Sequence, residues 1–194
     1  MRVDEVYRFY DEYAKPLYCE IEARNNTIPV ELLFEIHAAF DHLKRYYIGE
    51  ETEDLASHKA HSHIKRGMLD AFKLKLKYFN SDVESLLNSG IDFSLIDNGN
   101  FLPNLLADRS MIVQLAKKAR LRESQKDLEQ AFSPWVEASL KMDEFSEKYL
   151  TQGEKFDWAK HQTFRWINKD TWRGIFIGFI TGVASSFLVW WLTK

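Results

Sequence analysis

The chain has 194 residues, a formal net charge of −3 and a single cysteine, Cys19. One cysteine excludes an internal disulfide and a cysteine-built zinc site, and the slightly acidic balance argues against a general nucleic-acid binder. Only 8 glycines and 4 prolines punctuate it, which favours long helices over a sandwich or barrel, whose many turns need those residues.

Val3, Val6, Tyr7, Tyr10, Tyr13, Ala14 and Leu17 recur at three- and four-residue spacing, the period of a helix with one apolar face. Pro16 lacks an N–H and is expected to end or kink that helix. Asn25, Asn26 and Thr27 read as a turn, with Thr27 a candidate N-cap and Pro29 in the first turn of a second helix. Leu32, Leu33, Ile36, Ala39, Phe40 and Leu43 carry that helix to about Tyr47, and Gly49 marks its end. A third helix is expected from Glu53 to about Tyr78, on the stripe Leu55, Ala60, Ile64, Met68, Leu69, Phe72, Leu76 and Phe79. Ser81-Asp82-Val83-Glu84 has the spacing of a capping box and predicts a short fourth helix to Leu87. Residues 88–100, rich in Asn, Ser, Gly and Asp, read as a loop. If Phe93, Leu95, Ile96 and Phe101 were exposed there, they would offer a docking patch for another protein. From Pro103 to Phe132 the pattern is helical again, and Ser133-Pro134 starts or kinks the next helix. That helix carries Trp135, Val136, Leu140, Phe145 and Tyr149 and is interrupted at Gly153. The aromatic and basic segment after Gly153 fits either an interfacial helix or ordinary bundle core. No segment alternates as a strand would.

The run Gly174–Leu192 carries no charge. As a helix it would be about 28 Å long, close to the hydrocarbon thickness of a bilayer. Trp172 and Arg173 stand at one end and Trp190 and Trp191 near the other, where aromatic and basic side chains anchor a membrane segment at its interfaces. Lys160, Arg165, Lys169 and Arg173 precede the run and only Lys194 follows it. Positive-inside bias then places the N-terminal part in the cytoplasm, and the scarcity of cysteine agrees with a reducing compartment. Gly174, Gly178, Gly182 and Ser186 are spaced four apart, which sets them on one helix face in a doubled GxxxG pattern. Such a face lets two backbones approach closely.

One constellation hints at chemistry. Five of the six histidines fall between residues 37 and 63. If the second and third helices form an antiparallel hairpin over their short connection, positions summing to about 100 face each other. His37, Asp41, His63, Arg66 and Asp70 then form a polar seam. A histidine oriented by a carboxylate is a general base, and arginine with histidine holds phosphate. The blander reading is a set of mutually satisfied pairs that fixes helix register. His58, His61 and His63 are too divergent around a helix for a convincing metal site, and no cofactor is implied. No arginine is followed within two turns by histidine, so the pairing used by small helical ribonucleases of the HEPN type is missing. Gly-rich phosphate loops and nucleophile elbows are also absent. The basic run Lys117, Lys118, Arg120, Arg122 reads first as a solvated helix face.

Together these features predict an all-α, up-and-down helical bundle with a C-terminal single transmembrane helix: bundle 1–153, juxtamembrane segment 154–172, membrane helix 173–193. The expected function is a membrane-anchored sensor, adaptor or membrane-perturbing effector, of the kind used in bacterial defence or toxin systems. The bilayer, further copies of the chain and a protein docked on the bundle are its expected partners; nucleic acid is not. The alternative is a membrane-tethered hydrolase, a nuclease or nucleotide-processing enzyme, using the seam between helices 2 and 3.

Overall fold

A computed structural model describes residues 1–125 and 127–192; the side chains of 165–170, 187, 188, 191 and 192 lie outside the description. Among the described residues every regular element is helical. They are α1 (Val3–Phe9), α2 (Lys15–Asn25), α3 (Val30–Tyr47), α4 (Glu53–Leu87), α5 (Phe101–Ser124), α6 (Leu128–Phe145) and α7 (Gly153–Leu192). The chain divides into two compact units, 1–86 with 105–150, and 87–104 with 151–194.

In the first unit the apolar faces converge on one core. Leu17 and Ile21, Leu32 and Ile36, Ile64, Met68 and Phe72, Ala116 and Ala119, and Trp135 and Ala138 come from α2 to α6 in turn. Burial of these side chains at about 25 cal/mol per Å² is what offsets the entropy of ordering five helices. The fully buried Trp135 lies parallel to Phe72, with ring centroids 6.2 Å apart, and its indole N–H donates to Glu123. A buried indole needs that acceptor.

Several local expectations are corrected by packing. Pro16 does not end the helical run. Tyr10–Ala14 forms a π-helical turn, in which Lys15 N–H bonds the Tyr10 carbonyl, and α2 continues through the proline. The wider turn makes room for a ring that would otherwise press on the preceding carbonyl. The third and fourth predicted helices are one, α4. Its Ser81-Asp82-Val83-Glu84 signature stays helical because Phe79, just before it, and Val83, within it, are buried, and their burial outweighs a cap worth about 1 kcal/mol. Thr27 does not cap α3; its hydroxyl donates to the Asn25 carbonyl instead. Conversely, the single helical pattern from Pro103 to Phe132 is two helices. Asp127 caps α6 by accepting from Gln130 N–H at 3.0 Å, and Pro134 lies inside α6 rather than at its start.

In the second unit the segment 88–100 is not an open loop. It carries two short 3-10 turns, and Ile91, Phe93, Ile96 and Phe101 are buried. Phe93 stacks on Phe101 at 5.5 Å, and Phe101 meets Phe156 of α7 edge-on at 5.7 Å. Lys155 pairs with Asp97 at 3.2 Å. An exposed docking patch built on Phe93, Ile96 and Phe101 is therefore ruled out. The helix α7 then runs without a break through the positions read as juxtamembrane and membrane segments. Among the described residues no helix is long and apolar enough to cross a membrane. The uncharged run read from the sequence includes Phe187, Leu188, Trp191 and Leu192, whose side chains are not described.

Candidate functional site

Three places concentrate polar or unpartnered side chains: the α3–α4 seam, a groove over α4, and the glycine face of α7.

The seam forms because α3 and α4 pair antiparallel across a tight turn at Gly49, whose φ of +79° is left-handed and suits glycine. Its centre is Glu35. One carboxylate oxygen lies 2.5 Å from His63 Nδ1 and the other 3.5 Å from Arg66. The His63 ring stacks on His42 with centroids 5.2 Å apart. His42 Nδ1 in turn faces Glu51 at 3.5 Å, and neither atom completes a hydrogen bond. Glu51 also receives Lys59 at 2.9 Å, and that ammonium holds its carboxyl below the ordinary range.

The other residues anticipated for the seam go elsewhere. His37 is exposed on α3. Asp41 pairs with Arg45 on its own helix at 2.7 Å. Asp70 receives Lys73 at 2.8 Å, and Lys73 also reaches Glu123 of α5 at 2.7 Å. His61 packs on Phe9 at 4.4 Å, and burial, helped by Lys65, pushes its imidazole below the ordinary histidine value. Of the five clustered histidines, only His42 and His63 stack on one another. Among the described residues no group of three or more His, Cys, Asp or Glu is placed to hold a metal ion.

Glu35 was not among the sequence candidates. The hairpin arithmetic that pairs Asp41 with Lys59 also sets Glu35 opposite Lys65 and Arg66, so the signal was there. Gly67 is the second omission. A Cβ at Gly67 would stand 2.9 Å from Glu35 Cβ and 3.0 Å from Leu32 Cα. The bare glycine lets the helices close at that level.

The groove, of about 700 Å³, runs between the α1–α2 arm, α4 and α6. Tyr13, Leu17, Met68, Phe72, Val136 and Leu140 give it an apolar floor; Glu12, Glu20, Asp143 and Glu147 line it with carboxylates. Beneath it lies Lys75, 4% exposed. Its ammonium donates to Glu20 at 2.6 Å, Ser139 at 2.9 Å and Asp143 at 2.8 Å, filling its three donor positions. Burial pushes the Glu20 carboxyl above its ordinary range. Lys75 pulls it back, and Asp143 adds a smaller upward push. The sequence signal for this lysine is its place in the apolar stripe, one turn beyond Phe72 and two beyond Met68.

On α7, Gly178, Gly182 and Ser186 line an open furrow with Phe179 and Val183. A Cβ added at Gly174, Gly178 or Gly182 would meet nothing within 4 Å. Thr181, Ser185 and Ser186 donate to the carbonyls of Ile177, Thr181 and Gly182, one turn back. Trp172, Arg173 and Trp190 are exposed; the side chain of Trp191 lies outside the described residues.

The chain matches no protein-family model, no curated protein and no solved structure.

Proposed function

We propose that this protein is a helical bundle anchored in a membrane by the C-terminal part of α7, and that α7 self-associates through Gly174, Gly178, Gly182 and Ser186. The bundle is then a cytoplasmic sensor or adaptor module, or the regulatory part of a membrane-perturbing effector. The observation that carries this reading is the state of the described α7 side chains. Ile175, Phe176, Ile177, Phe179, Ile180 and Val183 are each about half exposed or more, and at about 100° per residue they cover an arc of about 200° that the glycine face completes. Water does not tolerate so continuous an apolar surface on a monomer, but lipid does. The hydroxyls support the same reading, because each one is satisfied within its own helix, as a hydrocarbon environment demands. The bias of basic residues toward the N-terminal flank gives the orientation. The furrow beside the glycines is the surface through which a second α7 would pack, since lipid supplies no hydrophobic drive and close backbone approach must supply the contact.

The test is fractionation of the full chain with vesicles. The protein should float with liposomes and stay bound through high salt and alkaline washing. A protein left in the supernatant overturns the anchor. Gly178→Ile, which fills the furrow, should reduce the oligomer measured in detergent while leaving flotation intact. An unchanged oligomer overturns the packing face.

A further inference from the structure

The bundle itself carries two surfaces of opposite character. The first is the groove over α4. Four carboxylates line it: Glu20 and Asp143 are paired to the buried Lys75, and Glu12 and Glu147 stand exposed at the rim, while Arg24, the one guanidinium, is paired to Asp82 at 2.9 Å. Its floor is apolar, and Leu140 there is 59% exposed. The second is the outer face of α5. Gln114, Lys117, Lys118 and Leu121 recur at i, i+3, i+4 and i+7 and, with Arg120, border a shallow open depression. Among the described residues no ion pair engages Lys117, Lys118 or Arg120. Leu121, in their midst, is 59% exposed.

We infer that the α5 face of one copy docks in the α4 groove of another. An amphipathic helix presenting anchors at that spacing is what an apolar groove receives, and the charges match: basic anchors on α5, carboxylates on the groove rim, leucines on both sides. Complementary potentials of this kind guide encounter and set register more than they add affinity. The two surfaces are different patches of the same molecule, so the contact is heterologous. Each copy offers a free groove at one side and a free α5 at the other, and the association continues into a ring or a chain of bundles. It is independent of the α7 contact.

The test uses the full chain in detergent, carrying Gly178→Ile so that the α7 contact is removed. Assembly is followed by sedimentation at low and high salt, and circular dichroism checks the fold of each variant. Lys117→Glu with Lys118→Glu and Arg120→Glu should weaken assembly at least tenfold. Glu12→Lys with Glu147→Lys should do the same. An equal mixture of the two reversed proteins should regain assembly, because each now complements the other. High salt should dissolve the contact in the parent, as it screens exposed charges. Folded reversed proteins that assemble like the parent, or a mixture that stays dispersed, overturn the inference. So does an α5 variant that loses anionic vesicles while its assembly is unchanged, which assigns the α5 face to lipid headgroups. Because α7 packing is apolar and insensitive to salt, failure here leaves the membrane reading standing, and the reverse also holds.

Discussion

Gly67 of α4 lies against Leu32 of α3 so closely that a Cβ at position 67 would stand 3.0 Å from the Leu32 Cα. Backbone meets backbone there, and one turn away the same closeness delivers Glu35 to His63 and Arg66. The polar seam is thus a consequence of a glycine.

Gly67→Ala sets a helix-propensity gain of about 1 kcal/mol against overpacking that costs about 1–3 kcal/mol. Because Glu35 Cβ and Leu32 Cα, at 2.9 and 3.0 Å, cannot move without the α3 backbone, the clash wins, and a net loss of about 1 kcal/mol is expected from urea denaturation. Gly67→Val should lose more. A stabilised Gly67→Ala protein would mean that α3 and α4 separate easily at this level.

Glu35 and His63 should be energetically coupled. A double-mutant cycle with Glu35→Ala and His63→Ala, read from denaturation at neutral pH, should give an interaction of about 1 kcal/mol. A value near zero would reduce the contact to coincidence. If His63→Ala keeps the fold and every cellular activity of the parent, the hydrolase reading of the seam is lost with it.

Lys75→Met should destabilise the bundle by about 2 kcal/mol, below the usual cost of breaking a buried pair, because Glu20 and Asp143 are partly exposed and water screens them. Adding Glu20→Gln and Asp143→Asn should recover most of the loss, since no charge is then left unpaired. Glu20 also sets a pH dependence. Its folded carboxyl titrates above its unfolded value, so between the two the folded state holds more protons. Stability therefore falls as pH rises through that window. Glu20→Gln should flatten this part of a melting-temperature profile.

Asp108 acts in the opposite sense. The Tyr149 hydroxyl donates to it at 2.7 Å and Lys148 pairs with it at 2.9 Å, and both hold its carboxyl below the ordinary value. Its contribution is present above the ordinary carboxylate value and is lost as pH falls through the depressed one. In Asp108→Asn the melting temperature should start lower at neutral pH and decline less on acidification. A parallel acid limb would remove the assignment.

The helical character of the whole chain could be read from spacing alone, because an apolar residue every three or four positions with few glycines and prolines leaves no other way to bury the stripe. Leu32, Ile36, Ile64, Met68 and Phe72 were legible as core for that reason. So was the uncharged run from Gly174, which is a matter of composition. Local signals failed where packing offered more than they did. Pro16 was absorbed by a π-turn, and the capping signature at Ser81 was overruled by Phe79 and Val83. Which polar residues meet was decided only in three dimensions. His37 and Asp41 carry the right chemistry, but the rotation of α3 about its axis turns Glu35 toward α4 and leaves His37 in solvent. Lys75 stands in the apolar stripe of α4, but its partners Glu20 and Asp143, distant in sequence, arrive from α2 and α6 only in the folded bundle. Periodicity along one helix fixes which face is apolar. The partner of each polar side chain depends on the azimuth and separation of two helices, and here a single glycine sets the separation of α3 and α4.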